Sequence, residues 1–300
     1  MTRTSPDQLI EAATSPVVIP GAVHCDMASA ISGRTYRLFI SKPAAPPPPT
    51  GYPVVVVTDA NLNFPVAAMM NLAMGMQGGK AALIVGVGYP ADDMFTPMFM
   101  RSRDLTPPTP LANIRPNPVM PPPRAEDYGG AEEFYRFLVE ELRPAIARAY
   151  SVDEHDQTLF GHSLGGLFAL GVMFDHPTSF RTFDASSPSI WWNNRALLDG
   201  EAAFTAKVTA GEVAPRVLVM IGAEEQTMPA VPPPTMTTEA LETLLAEARM
   251  VDNARELGER LVAIKGGPGY LARYTAFDTE DHMSVLPGAI SRALVFALRG

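Results

Sequence analysis

The stretch Leu159-Phe160-Gly161-His162-Ser163-Leu164-Gly165-Gly166-Leu167-Phe168 constrains this chain more than any other. A short apolar run, Thr158 to Phe160, reads as the end of a buried strand, and from Leu164 onward Leu167, Phe168, Leu170 and Phe174 follow helical spacing. Between them Gly161 and Gly165 flank Ser163 in G-x-S-x-G spacing. A serine held at a sharp strand-to-helix turn needs neighbours with almost no side chain, which is the physical reason for glycine on both sides. The helix that starts there aims its free backbone N–H groups at any negative charge forming beside the serine.

The remaining chain supplies a matching frame. Tyr36, Leu38 and Ile40 alternate with Thr35, Arg37 and Phe39, a half-exposed strand over 34–40. Pro53-Val-Val-Val-Val57 and Ala81–Val87 are continuous apolar runs typical of strands buried on both faces. Further strands are expected at 180–186, 216–221 and 271–277. Helices are expected at 66–76, at 131–150 with a kink or a split in two at Pro144, as one long helix near 238–262, and at 287–298. Residues 1–33 are weakly patterned. Strands alternating with helices predict a single domain over 34–300, with a mostly parallel central sheet covered by helices on both faces. Three proline-rich loops, 43–53, 107–123 and 229–234, interrupt that alternation without dividing the core. The segment 100–124 carries eight prolines between Pro107 and Pro123 and reads as an irregular loop at the strands' carboxyl edge, where ligands bind in such sheets.

Composition narrows the function classes. A net charge of −9 with no Lys/Arg-dense run argues against a nucleic-acid partner. Cys25 is the single cysteine, so no disulfide forms within the chain. No apolar run approaches the ~20 residues that span a bilayer. Met1–Pro20 lacks a charged segment followed by an apolar core, so neither membrane attachment nor export is expected and the chain reads as cytoplasmic. A homodimer is compatible with these features.

A serine hydroxyl needs a base to take its proton. His162 adjoins Ser163 and cannot fold back onto its hydroxyl within the turn, while His24, His155 and His176 fall at surface or capping positions. His282 follows the last strand and precedes the last helix, completing the order Ser, acid, His. The orienting acid is sought in the loop after 216–221, where one of Glu224 and Glu225 should face the site; Glu225 is preferred and Glu224 is the alternative. Asp184 and Asp281 are weaker candidates, and a Ser–His dyad without an acid is a further option. For the oxyanion, the backbone N–H of Leu164 is one expected donor, and Ala60 or Asn61, after the Val54–Val57 run, is the other.

Tyr52-Pro-Val-Val-Val-Val-Thr-Asp-Ala-Asn61, Val85-Gly-Val-Gly-Tyr-Pro90, Arg101-Ser-Arg-Asp-Leu-Thr-Pro107, Gly161-His-Ser-Leu-Gly-Gly-Leu-Phe168, Ser186-Ser-Pro-Ser-Ile-Trp-Trp-Asn193 and His282-Met-Ser-Val-Leu-Pro287 occur in this order. Together, from about residue 34 to the C-terminus, they resemble the esterase D-like branch of the α/β-hydrolases, and within it the siderophore-trilactone esterases of the enterobactin and salmochelin type. The resemblance implies an α/β-hydrolase fold and ester hydrolysis with neither metal nor organic cofactor. It also implies Ser163 as nucleophile and His282 as base, with the family's Gly-x-x-Glu falling on Gly222 to Glu225. Where the family usually has Asp-Gly, this chain has Asp59-Ala60.

For substrate binding, Arg101 and Arg103 could take an anionic or catecholate group or could pair with carboxylates of their own loop. Trp191 and Trp192 could wall an acyl or aryl group or could fill core under the loop. The reading is a serine carboxylesterase acting on a small-molecule ester through an acyl-enzyme. Its rivals are an acyltransferase or thioesterase on the same residues and a non-catalytic binding protein with the same fold.

Overall fold

The computed structural model describes residues 17–91, 93, 95–115, 122–233 and 236–299. Within the proline-rich loops, residues 116–121 and 234 lie outside the described residues.

Eight strands form one sheet in the order β1-β2-β4-β3-β5-β6-β7-β8. They are β1 (Ala22–Ala28), β2 (Thr35–Ser41), β3 (Tyr52–Val57), β4 (Leu83–Gly88), β5 (Val152–His162), β6 (Thr182–Ser186), β7 (Arg216–Gly222) and β8 (Leu271–Phe277). β1 and β2 run antiparallel to each other and β2 antiparallel to β4; from β4 through β3 to β8 every pairing is parallel. This is the α/β-hydrolase fold. The direction of strand addition reverses at β3, which pairs with β4 on one side and β5 on the other. The carboxyl ends of β3 and β5 therefore meet at the topological switch point, where open α/β sheets bind ligands.

The valine run of β3 shows why strands here are apolar throughout. Val54 and Val56 join a cluster with Leu159, Phe183, Val217 and Val219 on one face. Val55 and Val57 join Ile84, Phe160, Leu218 and Met220 on the other. The second face is covered by α1 (Ala60–Met76) and by α9 (Val285–Arg299), whose Ala289, Ala293 and Ala297 meet α1's Ala67 and Ala68 in the same cluster. The first face is covered by α3 (Ala131–Arg136) and α4 (Arg143–Ala149), by α5 (Leu164–Asp175), α6 (Glu201–Thr209), and by α8 (Met250–Ala263). β2 is half-buried as expected, and Phe39 disturbs its alternation because it packs on the second cluster.

Four expectations change. Residues 22–28, weakly patterned in sequence, form the edge strand β1; most of its side chains are exposed, so no burial pattern marks it. Residues 100–105 belong to a helix, α2 (Phe95–Leu105), and not to an irregular loop. Pro97 sits in its first turn, where no backbone N–H is missed, and the prolines from Pro107 onward follow its end. The long helix expected near 238–262 is two, α7 (Thr238–Ala248) and α8, broken at Arg249 with φ 44° and ψ 44°. Asn253 Nδ2 donates to the Ala248 carbonyl at 2.9 Å and satisfies the end of α7. Pro144 does not split 131–149 cleanly; a π-helical turn, Phe137–Leu142, joins α3 to α4 and absorbs the donor that proline lacks.

Candidate active site

Ser163 stands between β5 and α5 at φ 61° and ψ −118°, a strained backbone for a residue with a side chain. The glycines around it are needed for space. A Cβ on Gly161 would lie 2.0 Å from the Gly165 carbonyl oxygen, and one on Gly165 would lie 2.5 Å from Thr58 Oγ1. The elbow is therefore wedged against the end of β3.

His282 lies in the turn between β8 and α9. Its Nδ1 is 2.6 Å from Glu225 Oε2 and its Nε2 is 3.1 Å from Ser163 Oγ. A carboxylate only accepts, so Nδ1 carries the proton and Nε2 is free to accept from the serine. Glu225 is completely enclosed, and its Oε1 accepts from the Gly222 N–H at 2.8 Å and from Ser187 Oγ at 2.5 Å. The acid loop and the histidine loop approach closely, because a Cβ on Gly222 would lie 2.4 Å from the Glu280 carbonyl oxygen. Glu224 is exposed. Asp281 is spent on its own loop, accepting from the Met283 and Ser284 N–H groups at 2.9 and 2.8 Å. Asp184 is buried beneath the sheet's second face, remote from this hydrogen-bond chain, and neither of its oxygens has a partner.

His162 is buried beside the site. Its ring centroid is 4.7 Å from that of His282, and its Nδ1 is 3.1 Å from Ser186 Oγ. Burial, reinforced by the neighbouring His282 and Arg101, pushes its proton affinity well below that of an ordinary imidazole, so it stays neutral.

Two helix starts converge on Ser163. Leu164 opens α5 and Ala60 opens α1, and helix geometry leaves the first N–H groups of each without an intrahelical acceptor. In the α1 loop, Leu62 and Asn63 already donate to Asp59 O, whereas among the described residues the Ala60 and Asn61 N–H groups have no partner. The Asn61 side chain is fully occupied, donating to Tyr89 O at 3.0 Å and accepting from Tyr89 N at 2.8 Å, which fixes the loop to the end of β4.

Three of the four residues expected to bind substrate are used otherwise. Arg101 makes a two-pronged pair with Asp59, Nε to Oδ1 at 2.6 Å and Nη2 to Oδ2 at 2.7 Å, and Nη2 also reaches His162 O at 3.2 Å. It clamps the α1 loop to the elbow strand. Arg103 pairs with Glu133 at 2.8 Å, away from Ser163. Trp192 is buried under the 107–115 segment with Ile114 and Leu167, and its Nε1 donates to Thr109 Oγ1 at 2.8 Å. Trp191 is partly exposed, with the Arg115 guanidinium 5.2 Å from its ring centroid.

The site also contains residues that sequence reasoning passed over. Ser189 Oγ is 3.4 Å from Ser163 Oγ, and Ser187 holds Glu225. The only signal was the density of serines in Ser186-Ser187-Pro188-Ser189. Asp59, at φ 53°, takes the left-handed conformation for which asparagine, aspartate and glycine are suited.

The profile of the family described as Putative esterase matches residues 29–280. The ferri-bacillibactin esterase BesA of Bacillus subtilis is 39% identical, covering 99% of this chain and 96% of that protein. The siderophore triacetylfusarinine C esterase of Aspergillus fumigatus is 34% identical, covering 81% of this chain and 80% of that one. Among solved structures, the BES protein from Bacillus cereus superposes with a TM-score of 0.80 at 31% identity, covering 96% of this chain and 99% of that one. The siderophore hydrolase EstA from Aspergillus nidulans does so with a TM-score of 0.79 at 29% identity, covering 96% and 98%.

Proposed function

This chain belongs to the Putative esterase family, and from that premise we propose that it is a serine ester hydrolase whose substrate is an ester-linked siderophore. One observation carries the mechanism: the hydrogen-bond chain from Glu225 through His282 to Ser163, at 2.6 and 3.1 Å, on a strained elbow.

Ser163 Oγ attacks the ester carbonyl carbon while its proton passes to His282 Nε2. Glu225 keeps the Nδ1 proton in place and balances the charge of the imidazolium. The oxyanion accepts from the Leu164 N–H and from the N–H of Ala60 or Asn61. Collapse breaks the bond to the alcohol oxygen, which takes the proton from His282. Water then gives its proton to Nε2 and attacks the acyl carbon, and His282 returns the proton to Ser163 as the acid leaves.

Water is favoured over an alcohol or amine as acceptor because the His282 side chain is 38% exposed. The same openness suits a bulky substrate. The siderophore class rests on the relatives, several of which are named for such substrates. Trp191 offers an aromatic face for an aryl part of the substrate, and the Arg115 guanidinium 5.2 Å from its ring centroid is itself paired to Glu247 at 3.3 Å.

The test combines a substrate panel with active-site labelling. Trilactone and fusarinine-type siderophores should be hydrolysed with a higher kcat/KM than p-nitrophenyl acetate or butyrate. A fluorophosphonate probe should label the wild type and leave Ser163→Ala unlabelled. Labelling of Ser163→Ala would overturn the mechanism, and a preference for simple esters would overturn the substrate class. Among the described residues, no helix is long and apolar enough to cross a membrane.

A further inference from the structure

The turn Ser186-Ser187-Pro188-Ser189 at the end of β6 sends one hydroxyl toward each part of the site. Ser186 Oγ lies 3.1 Å from His162 Nδ1, Ser187 Oγ 2.5 Å from Glu225 Oε1, and Ser189 Oγ 3.4 Å from Ser163 Oγ. Ser187 has the firmest geometry of the three. It is fully buried, and its N–H donates to Met220 O at 2.7 Å, which pins its backbone between β6 and β7. Its φ is +46°, in the left-handed region where glycine would sit without strain. A serine kept in such a conformation next to a functional site suggests that its hydroxyl is used.

We infer that Ser187 is a positioning residue for the hydrolysis. Its hydroxyl, together with the Gly222 N–H, occupies Glu225 Oε1 and so turns Oε2 toward His282. The inference rests on Glu225 being the orienting acid. With the Gly222 N–H alone on Oε1, the carboxylate could rotate away from His282. The other charged or titratable groups near this pair are His162, packed on the His282 ring; Arg101, bonded to the His162 carbonyl and to Asp59; Asp281 and Glu280, on the loop of His282 itself; and Glu224, beside Glu225 and bonded through its N–H to the Glu280 carbonyl. None of their side chains is hydrogen-bonded to Glu225, and among the described residues Ser187 and His282 are the two side chains that are.

The test uses Ser187→Gly, Ser187→Ala, Glu225→Gln and the double variant Ser187→Gly/Glu225→Gln, each measured for kcat and KM across pH and for melting temperature. Both Ser187 variants should lower kcat about 10- to 100-fold with little change in KM, as loss of one hydrogen bond to a charged group implies. The acidic limb of the kcat profile should move to lower pH, because an imidazolium that loses its carboxylate partner gives up its proton more readily. Ser187→Gly should melt within a few degrees of wild type and above Ser187→Ala, because glycine's relief of the left-handed strain offsets part of the lost hydrogen bond. In the Glu225→Gln background, Ser187→Gly should change kcat by less than about twofold, since its effect runs through that carboxylate.

Wild-type kcat in Ser187→Gly, an unmoved acidic limb, additive losses in the double variant, or a fall in melting temperature that accounts for the lost activity would each overturn the inference. Wild-type activity in Glu225→Gln alone would mark a failure of the acid assignment, and the role of Ser187 would fall with it.

Discussion

Glu225→Gln tests the site most sharply, because the substitution keeps the shape and changes only donors and acceptors. The carboxylate accepts from Gly222 N at 2.8 Å, Ser187 Oγ at 2.5 Å and His282 Nδ1 at 2.6 Å, in a place sealed from water. A glutamine can sit there in two ways. With its carbonyl on Gly222 and Ser187, its NH2 faces the Nδ1 proton, so His282 must move that proton to Nε2 and can no longer accept from Ser163. With its carbonyl on His282, its NH2 faces the Gly222 N–H, and two buried donors oppose each other at a cost of about 1–3 kcal/mol. The first arrangement removes the base, so kcat should fall roughly 10²- to 10⁴-fold, the scale of a wrong-tautomer defect in a serine triad. Pre-steady-state hydrolysis of p-nitrophenyl butyrate would separate the burst from turnover, and the burst itself should slow. Glu224→Gln, on an exposed side chain, should stay close to wild type. If Glu225→Gln remains within about threefold of wild type, or if Glu224→Gln is the more damaging change, the tautomer argument is wrong and a dyad or a different acid operates.

The other predictions concern the supports of the site. Gly161→Ala should yield little folded protein, because the new methyl would meet backbone, at 2.0 Å from the Gly165 carbonyl oxygen; a soluble variant with an unchanged melting temperature would refute the packing argument. Arg101→Met leaves the Asp59 carboxylate unpaired where side-chain exposure is 12%, and should cost roughly 3–5 kcal/mol in stability and lower kcat more than it raises KM. Chemical denaturation and steady-state kinetics would check both parts. Asp184 is held well above the ordinary carboxylate range by burial, only partly opposed by Arg216. It therefore binds its proton more tightly folded than unfolded, and the stability it lends below its unfolded value of 3.8 is lost as pH rises above that value. Asp184→Asn mimics the protonated acid and should gain in melting temperature over wild type as pH is raised; an equal difference at acidic and alkaline pH would refute this.

Much of the fold was legible in the residues because burial on both faces leaves a continuous apolar record. Val54–Val57, Leu83–Val87 and Val217–Ile221 are strands for that reason. β1 was not legible, since an exposed edge strand carries no such record, and neither was the break at Arg249, which depends on a left-handed residue and the Asn253 cap. The proline content of 107–123 masked the helical nature of Arg101–Leu105, because the helix ends just before the prolines begin.

The site divides along the same line. Ser163 and its glycines are a local pattern whose strain and spacing depend on ten consecutive residues, and His282 follows from its place after the last strand. Sequence alone could therefore nominate both as nucleophile and base. The identity of the carboxylate that reaches His282, the pairing of Arg101 with Asp59, the burial of Trp192 under its loop and the three hydroxyls of Ser186, Ser187 and Ser189 depend on residues far apart in the chain. The residues favoured Glu225 and kept Glu224 as an alternative; the closing of the β7 and β8 loops puts Glu225 inside and leaves Glu224 in water. A side chain's chemistry is written in its identity, but its partner is chosen by the tertiary structure that brings the two within hydrogen-bond reach.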